Sequence, residues 1–158
     1  MSKANLQAEI GKKNPFAIPE QEAYLNILRT ATRLSGEFER LFKRHGLSSA
    51  GYNALRVLRG GGRDGRTCND IGKDLVAQVP DVTRLVDRLE RAGLAERCRC
   101  RSDRRVVFVK ITRKGLEVLS KLDKPLLDLH RAQLAHMGEK KLSELNRLLV
   151  RARHPDGE

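Results

Sequence analysis

Between Val79 and Ile111 the spacing of apolar residues changes period once, and that change limits what this chain can fold into. In "VPDVTRLVDRLERAGL" Val82, Leu85, Val86 and Leu89 recur every three or four positions, the stripe of a helix with one buried face. Pro80 fits the first turn of such a helix, and Gly93 stops it. Beyond Gly93, "AERCRC" and "RVVFVKI" read as short strands joined by the polar tip "RSD", a β-hairpin with Val107, Val109 and Ile111 on one face.

Further helical patterns flank this unit. Pro19 opens a long one in which Tyr24, Leu28, Ala31, Leu34, Phe38 and Leu41 form one stripe, with Lys43, Arg44 and His45 near its end and Gly46 as C-cap. "LSSAGYNALRVLRGGG" predicts a short helix capped by Ser48, with Tyr52, Leu55 and Leu58 inward. "RTCNDIGKDLV" predicts another, capped by Thr67 with Asp70 three residues on, and with Ile71 and Leu75 facing the core. After the hairpin, Thr112 caps a helix that Pro125 should kink or break, and a last helix after Gly138 carries Leu142, Leu145, Leu148 and Leu149. Residues 1–18 read as a flexible arm docking through Ile10 and Phe16.

Two short helices joined by a tight turn and followed by a hairpin make a winged helix-turn-helix. The expected fold is therefore mainly α with a small β-hairpin wing, flanked by N- and C-terminal dimerisation helices. The boundaries are 1–18 for the arm, 19–46 for the first dimerisation helix and 47–112 for the DNA-binding region. The C-terminal dimerisation helices take 113–152, and 153–158 form a tail. The dimer expectation is physical: the stripe through Tyr24 and Leu28, and that through Leu142, Leu145 and Leu149, are too long and remote for a small winged core to cover. Uncovered apolar patches tend to pair, which predicts a homodimer.

Charge indicates the partner. Lys and Arg outnumber Asp and Glu by 32 to 20 across 158 residues, a formal charge of +12. This predicts a polyanionic partner, either nucleic acid such as double-stranded DNA or an anionic membrane surface, with plain solubility as the blander reading. The segment from Val79 to Ala92 is formally neutral, with Arg84, Arg88 and Arg91 against Asp81, Asp87 and Glu90. Residues 94–114 hold eight basic residues and two acidic ones, Glu96 and Asp103. A basic hairpin beside a neutral helix divides labour as a DNA binder requires: phosphate contacts hold, base contacts specify. Off the buried stripe, Asp81, Thr83, Arg84, Asp87, Arg88 and Arg91 face outward, and Arg84 and Arg88, four apart, share a face. Arg101, Arg104 and Arg105 lie at or near the hairpin tip, where a side chain reaches the minor groove, and Asp103 is placed to hold Arg105.

These segments resemble a known family. "DRRVVFVKIT" followed by "RKG" resembles the wing of the MarR (multiple antibiotic resistance regulator) family. "VTRLVDRLERAGLAER" resembles its recognition helix, and "HGLSSAGYNALRVL" the segment upstream. The likeness spans about residues 20–150. It implies a homodimeric transcription regulator, usually a repressor, that binds a pseudo-palindromic operator and releases it when a small-molecule effector or an oxidant arrives. It also implies Arg84 as major-groove reader, Arg105 as minor-groove arginine and Asp103 as its positioning partner. Two departures stand out. Gln78, Val79 and Pro80 occupy the start of the recognition helix, where members often carry a Ser or Thr cap, and Gln78 joins the DNA-contact candidates. Cys100 and Arg101 stand in a wing tip that is usually more acidic.

Other signals carry less. Cys98 and Cys100, two apart on a strand, have α-carbons about 6.6 Å apart and side chains on one face, a poor disulfide geometry. They lie far in sequence from Cys68 and every histidine, so a zinc site lacks ligands. Incidental wing cysteines are the main reading, and a thiol sensor activated by nearby arginines is the other. Tyr52 is a candidate ligand-pocket residue, with core packing as the plainer reading. "GGGRDG" matches a dinucleotide pattern, but a helix precedes it where a strand is needed, so a nucleotide-dependent enzyme gains little support. No catalysis, cofactor or membrane partner is expected, and three cysteines with no signal-like N-terminus point to the cytoplasm. The alternative function is a non-specific architectural DNA-binding protein.

Overall fold

The computed structural model describes residues 5–62, 64–100 and 105–155. Along the chain run α1 (Leu6–Glu9), α2 (Pro19–Arg44), α3 (Ser49–Gly60), α4 (Cys68–Asp74) and α5 (Val82–Arg91). Strands β1 (Ala95–Arg99) and β2 (Val107–Ile111) follow, then α6 (Arg113–Leu134), a short turn of 3₁₀ helix and α7 (Glu139–Arg153). This is the mainly helical winged helix-turn-helix architecture, with a two-stranded antiparallel hairpin as its wing. No helix among the described residues is long and apolar enough to cross a membrane.

Local chemistry sets the helix ends. Ser48 and Thr112 each accept a hydrogen bond from the backbone N–H three residues on. Thr67 and Asp70 form a complete capping box, and the Thr67 hydroxyl, donating to the Asp70 carboxylate at 2.7 Å, holds its pKa below the ordinary value. α2 and α5 close alike. The Gly46 and Leu47 N–H groups reach back to Lys43 and Phe42, and those of Gly93 and Leu94 to Glu90 and Leu89. Both glycines sit at φ +71°, and the flanking pairs Phe42–Leu47 and Leu89–Leu94 are buried.

Ala54, Leu55 and Leu58 of α3, Ile71 of α4, and Leu85, Val86 and Leu89 of α5 form one buried cluster with Val109 and with Leu119, Leu122 and Leu126 of α6. The helix-turn-helix, the wing and α6 thus share a single core. Arg59 of α3 adds a double contact from its Nη1 to both Asp123 oxygens, at 3.0 and 3.1 Å.

Several expectations need correction. Of the kink or break expected at Pro125, the break is absent, since α6 is one helix from Arg113 to Leu134. The proline removes the donor of the Lys121 carbonyl, and both residues lie on the exposed side of the helix, where the loss is least costly. The N-terminal arm contains the short helix α1, capped by Asn5, and docks through Leu6, which is buried, whereas Ile10 is exposed. The long α2 stripe splits: Phe42, outside the expected set, is buried, and Phe38 and Leu41 pack on the core, while Tyr24 and Leu28 face outward. Leu75 and Tyr52 do face the core as expected, half-buried and packed against it.

The "GGGRDG" loop is anchored at its end. Arg66 and Val109 exchange backbone hydrogen bonds at 2.9 and 2.7 Å, an isolated bridge on the outer edge of β2. Gly65, at φ +79°, runs so close that an added Cβ would lie 2.7 Å from the Val109 carbonyl oxygen. Gly62 is also left-handed, with open space around it. Gly62→Ala should therefore cost about 1 kcal/mol from backbone conformation alone. Gly65→Ala should cost roughly 2 kcal/mol beyond that, because it also collides with the strand. Urea denaturation compares the two, and equal losses would mean that the loop is not held against the wing.

Candidate nucleic-acid interface

Helix α5 takes its orientation from its apolar side, since Leu85, Val86 and Leu89 are all buried. What remains outward is polar. Thr83, Arg84, Arg88 and Arg91 are exposed, and the Arg84 side chain is 84% accessible. Arg84, Arg88 and Arg91 are four and seven positions apart and form one stripe along the solvent side.

The three carboxylates of the segment do not share that freedom. Asp81, expected among the outward readers, is the N-cap: its Oδ1 accepts from the Arg84 backbone N–H at 2.9 Å. The helix therefore starts at Val82, and Pro80 precedes it instead of occupying its first turn. The missing Ser or Thr cap is supplied by an aspartate one residue beyond Pro80. Asp81 also lies 3.5 Å from the Arg84 guanidinium.

Asp87 and Glu90 are engaged by the wing. Arg97 of β1 places Nη2 2.6 Å from Asp87 Oδ1 and Nη1 2.5 Å from Glu90 Oε2, and its backbone N–H donates to Glu90 Oε1 at 3.2 Å. Arg97 stands opposite Val109 in the ladder. Its side chain is 26% exposed, less than the basic partner in any other ion pair among the described residues. The hydrogen bond to Asp87 raises its pKa above the ordinary value, partial burial opposes the rise, and Glu90 adds to it. Arg97, counted by composition as a phosphate-gripping charge, thus ties helix to wing.

The far end of α5 is secured too. Thr112 Oγ1 donates to the Gly93 carbonyl at 2.7 Å and Lys114 Nζ to that of Ala92 at 2.8 Å, which satisfies terminal carbonyls of α5.

Of the remaining site residues, Gln78 is exposed and lines a groove between α4 and α5 with Thr83, Cys68, Asn69 and Lys73. Asn69 and Lys73, four apart on α4, escaped the sequence reading, although that spacing marks one helix face. Arg105 is exposed beside the wing tip. Arg101, Asp103 and Arg104 lie outside the described residues. Cys98 pairs with Phe108 in the ladder, the Cys100 N–H donates to the Val106 carbonyl, and both side chains are half-buried. Tyr52 stacks on Phe42, with ring centroids 4.5 Å apart, and packs against the core.

The candidate dimer residues lie far from this face. Tyr24 and Leu28 are 64% and 52% exposed, and α7, carrying Leu142, Leu145 and Leu149, has no buried residue among those described.

Comparisons with known proteins agree with this architecture. The family model described as MarR family matches residues 45–106, from the end of α2 to the wing. A MarR transcription factor from Planctomyces limnophilus is 40% identical, with 85% of this chain and 98% of that one covered and a TM-score of 0.66. The HTH-type transcriptional repressor IacR of Pseudomonas putida is 25% identical over 123 residues, 78% of this chain and 72% of that protein. Sco3205, a MarR family transcriptional regulator from Streptomyces coelicolor solved in complex with DNA, shares the fold with a TM-score of 0.74 at 24% identity, over 92% of this chain and 95% of that one.

The cap assignment can be checked directly. Asp81→Ala should lower stability by about 1 kcal/mol, and Asp81→Asn, which keeps an acceptor oxygen, by only a few tenths. Equal urea midpoint shifts for the two variants would reject the cap.

Proposed function

Because the chain belongs to the MarR family of DNA-binding transcription regulators, we propose that it acts as a homodimeric repressor on a pseudo-palindromic operator. Helix α5 reads bases in the major groove and the hairpin grips the flanking backbone. The observation that carries this reading is the exposed arginine stripe of Arg84, Arg88 and Arg91 on the solvent side of α5, in which only Arg84 has an acidic neighbour, Asp81 at 3.5 Å, among the described residues. The major groove admits one helix, and a guanidinium can pair with both acceptors of a guanine edge.

In this reading Arg84 and Arg88 contact bases, with Thr83 and Gln78 beside them. Arg105 enters the minor groove with Arg101 and Arg104 nearby, and Asp103 orients it. Residues 47–112 bind DNA, while 19–46 and 113–152 pair the protomers. An α7 with no buried residue, and a Tyr24–Leu28 face open to solvent, support dimerisation because they leave apolar surface uncovered. Two-fold symmetry would set the reading helices about 34 Å apart, one turn of duplex. Release belongs to a small molecule or to an oxidant acting on Cys98 and Cys100.

Selection of bound duplexes from a random pool tests the proposal. A symmetric consensus is expected, and equal affinity for scrambled duplex at physiological salt would favour an architectural role instead. Arg84→Ala should lose roughly 1–3 kcal/mol of discrimination at one base position. Arg105→Ala should weaken all sequences alike and lower the salt slope by about 1. Leu145→Asp with Leu149→Asp should sediment as a monomer and lose tight operator binding, and a stable dimer would move the interface elsewhere.

A further inference from the structure

We propose that Arg97 is a positioning residue for DNA binding, which draws Asp87 to the wing and so keeps it from pairing with Arg84 and Arg91. The inference rests on α5 being the reading helix.

The argument starts from helix geometry. Asp87 lies three residues after Arg84 and four before Arg91, the two spacings at which side chains on a helix meet. Left to itself, its carboxylate would pair with either arginine and occupy donors that a base edge or phosphate needs. Arg97 outcompetes both. It approaches Asp87 from the strand side at 2.6 Å, and Glu90, with one oxygen on the Arg97 backbone N–H and the other on Nη1, fixes where that guanidinium sits. Arg84 and Arg91 remain exposed; Arg84 already has Asp81 3.5 Å from its Nε, so Asp87 would be a second carboxylate on it. A pair this shielded is also less screened by salt than an exposed i,i+3 or i,i+4 contact. Arginine is required because its planar fork spans two carboxylates, which the single point charge of lysine does not.

A bracing role and a charge-sorting role predict different mutant behaviour. The measurement is equilibrium binding, over a salt series, to a duplex selected by the wild-type chain from a random pool, with urea unfolding of every variant. Arg97→Gln should weaken binding roughly tenfold as Asp87 turns onto the arginine stripe. Adding Asp87→Asn should recover most of that loss, although it restores no bond between wing and helix. Adding Glu90→Gln instead should recover little. If Arg97→Gln does not fold, Arg97→Lys should lose about threefold and recover in the same way with Asp87→Asn. A folded Arg97 variant with wild-type affinity, or a loss that Asp87→Asn leaves in place, overturns the inference. Arg84→Ala run alongside separates the premise: if it changes neither base preference nor affinity, the assignment of α5 fails and this inference fails with it. If Arg84→Ala relaxes preference while Asp87→Asn rescues nothing, only the charge sorting is overturned.

Discussion

Val109 is held from three directions, and the geometry of the DNA-binding face depends on that restraint. On one edge it pairs with Arg97 in the hairpin ladder, and on the other it exchanges two backbone hydrogen bonds with Arg66 at the foot of α4. Its side chain is fully buried between the helix-turn-helix and α6. A two-stranded hairpin alone is marginally stable in water. Here the inner strand is joined on one side to the loop that leads into α4 and below to the common core. The angle between wing and α5 is thereby set before any DNA arrives, so little ordering cost falls on binding.

The same core explains why the rest of the chain is so differently packed. Helices α3, α4 and α5 all place fully buried residues in one cluster, and α6 contributes Leu119 and Leu122 to it. Beyond Leu126 that helix leaves the core, and its later contacts are with α2, through His130 on Phe38 at 4.7 Å between ring centroids and Gln133 on the Leu34 carbonyl at 3.0 Å. α7 follows with no residue buried. The winged core is complete by itself, whereas Tyr24, Ile27, Leu28, Leu127, Leu148 and Val150 of α2, α6 and α7 are exposed to solvent.

Much of this was legible in the sequence because helix ends are decided within three or four residues. Ser48, Thr67 and Thr112 cap where their spacing predicts, and Gly46 and Gly93 close helices for a reason visible in the residue type alone. Pro80 misled because two local signals competed one residue apart: a proline suited to a first turn, and an aspartate whose side chain binds the third backbone N–H. The aspartate prevailed. A break at Pro125 did not follow because the cost of a proline in a helix depends on whether the freed carbonyl lies on the exposed side, and periodicity does not report that. Arg66 bridging Val109 lay beyond reach altogether, since a pairing of one residue leaves no pattern.

The candidate site shows the same division between composition and placement. Summed over its letters, the recognition segment is neutral, with three arginines and three acids. Fields at a surface, however, come from charges that are not already paired. Asp81 lies at the start of α5, where a carboxylate faces the positive end of the helix, and Asp87 and Glu90 belong to Arg97. Subtracting paired charges, Arg84 with Asp81 among them, leaves Arg88 and Arg91 on α5 and removes one arginine from the count of the wing. If α5 is the reading helix, as proposed, it would contribute attraction as well as selection, while the wing contributes a guanidinium to it. In the proposed reading, base contact and phosphate contact are therefore not divided cleanly between helix and wing, because the contact that joins the two engages Asp87 and Glu90 and leaves Arg88 and Arg91 of α5 exposed.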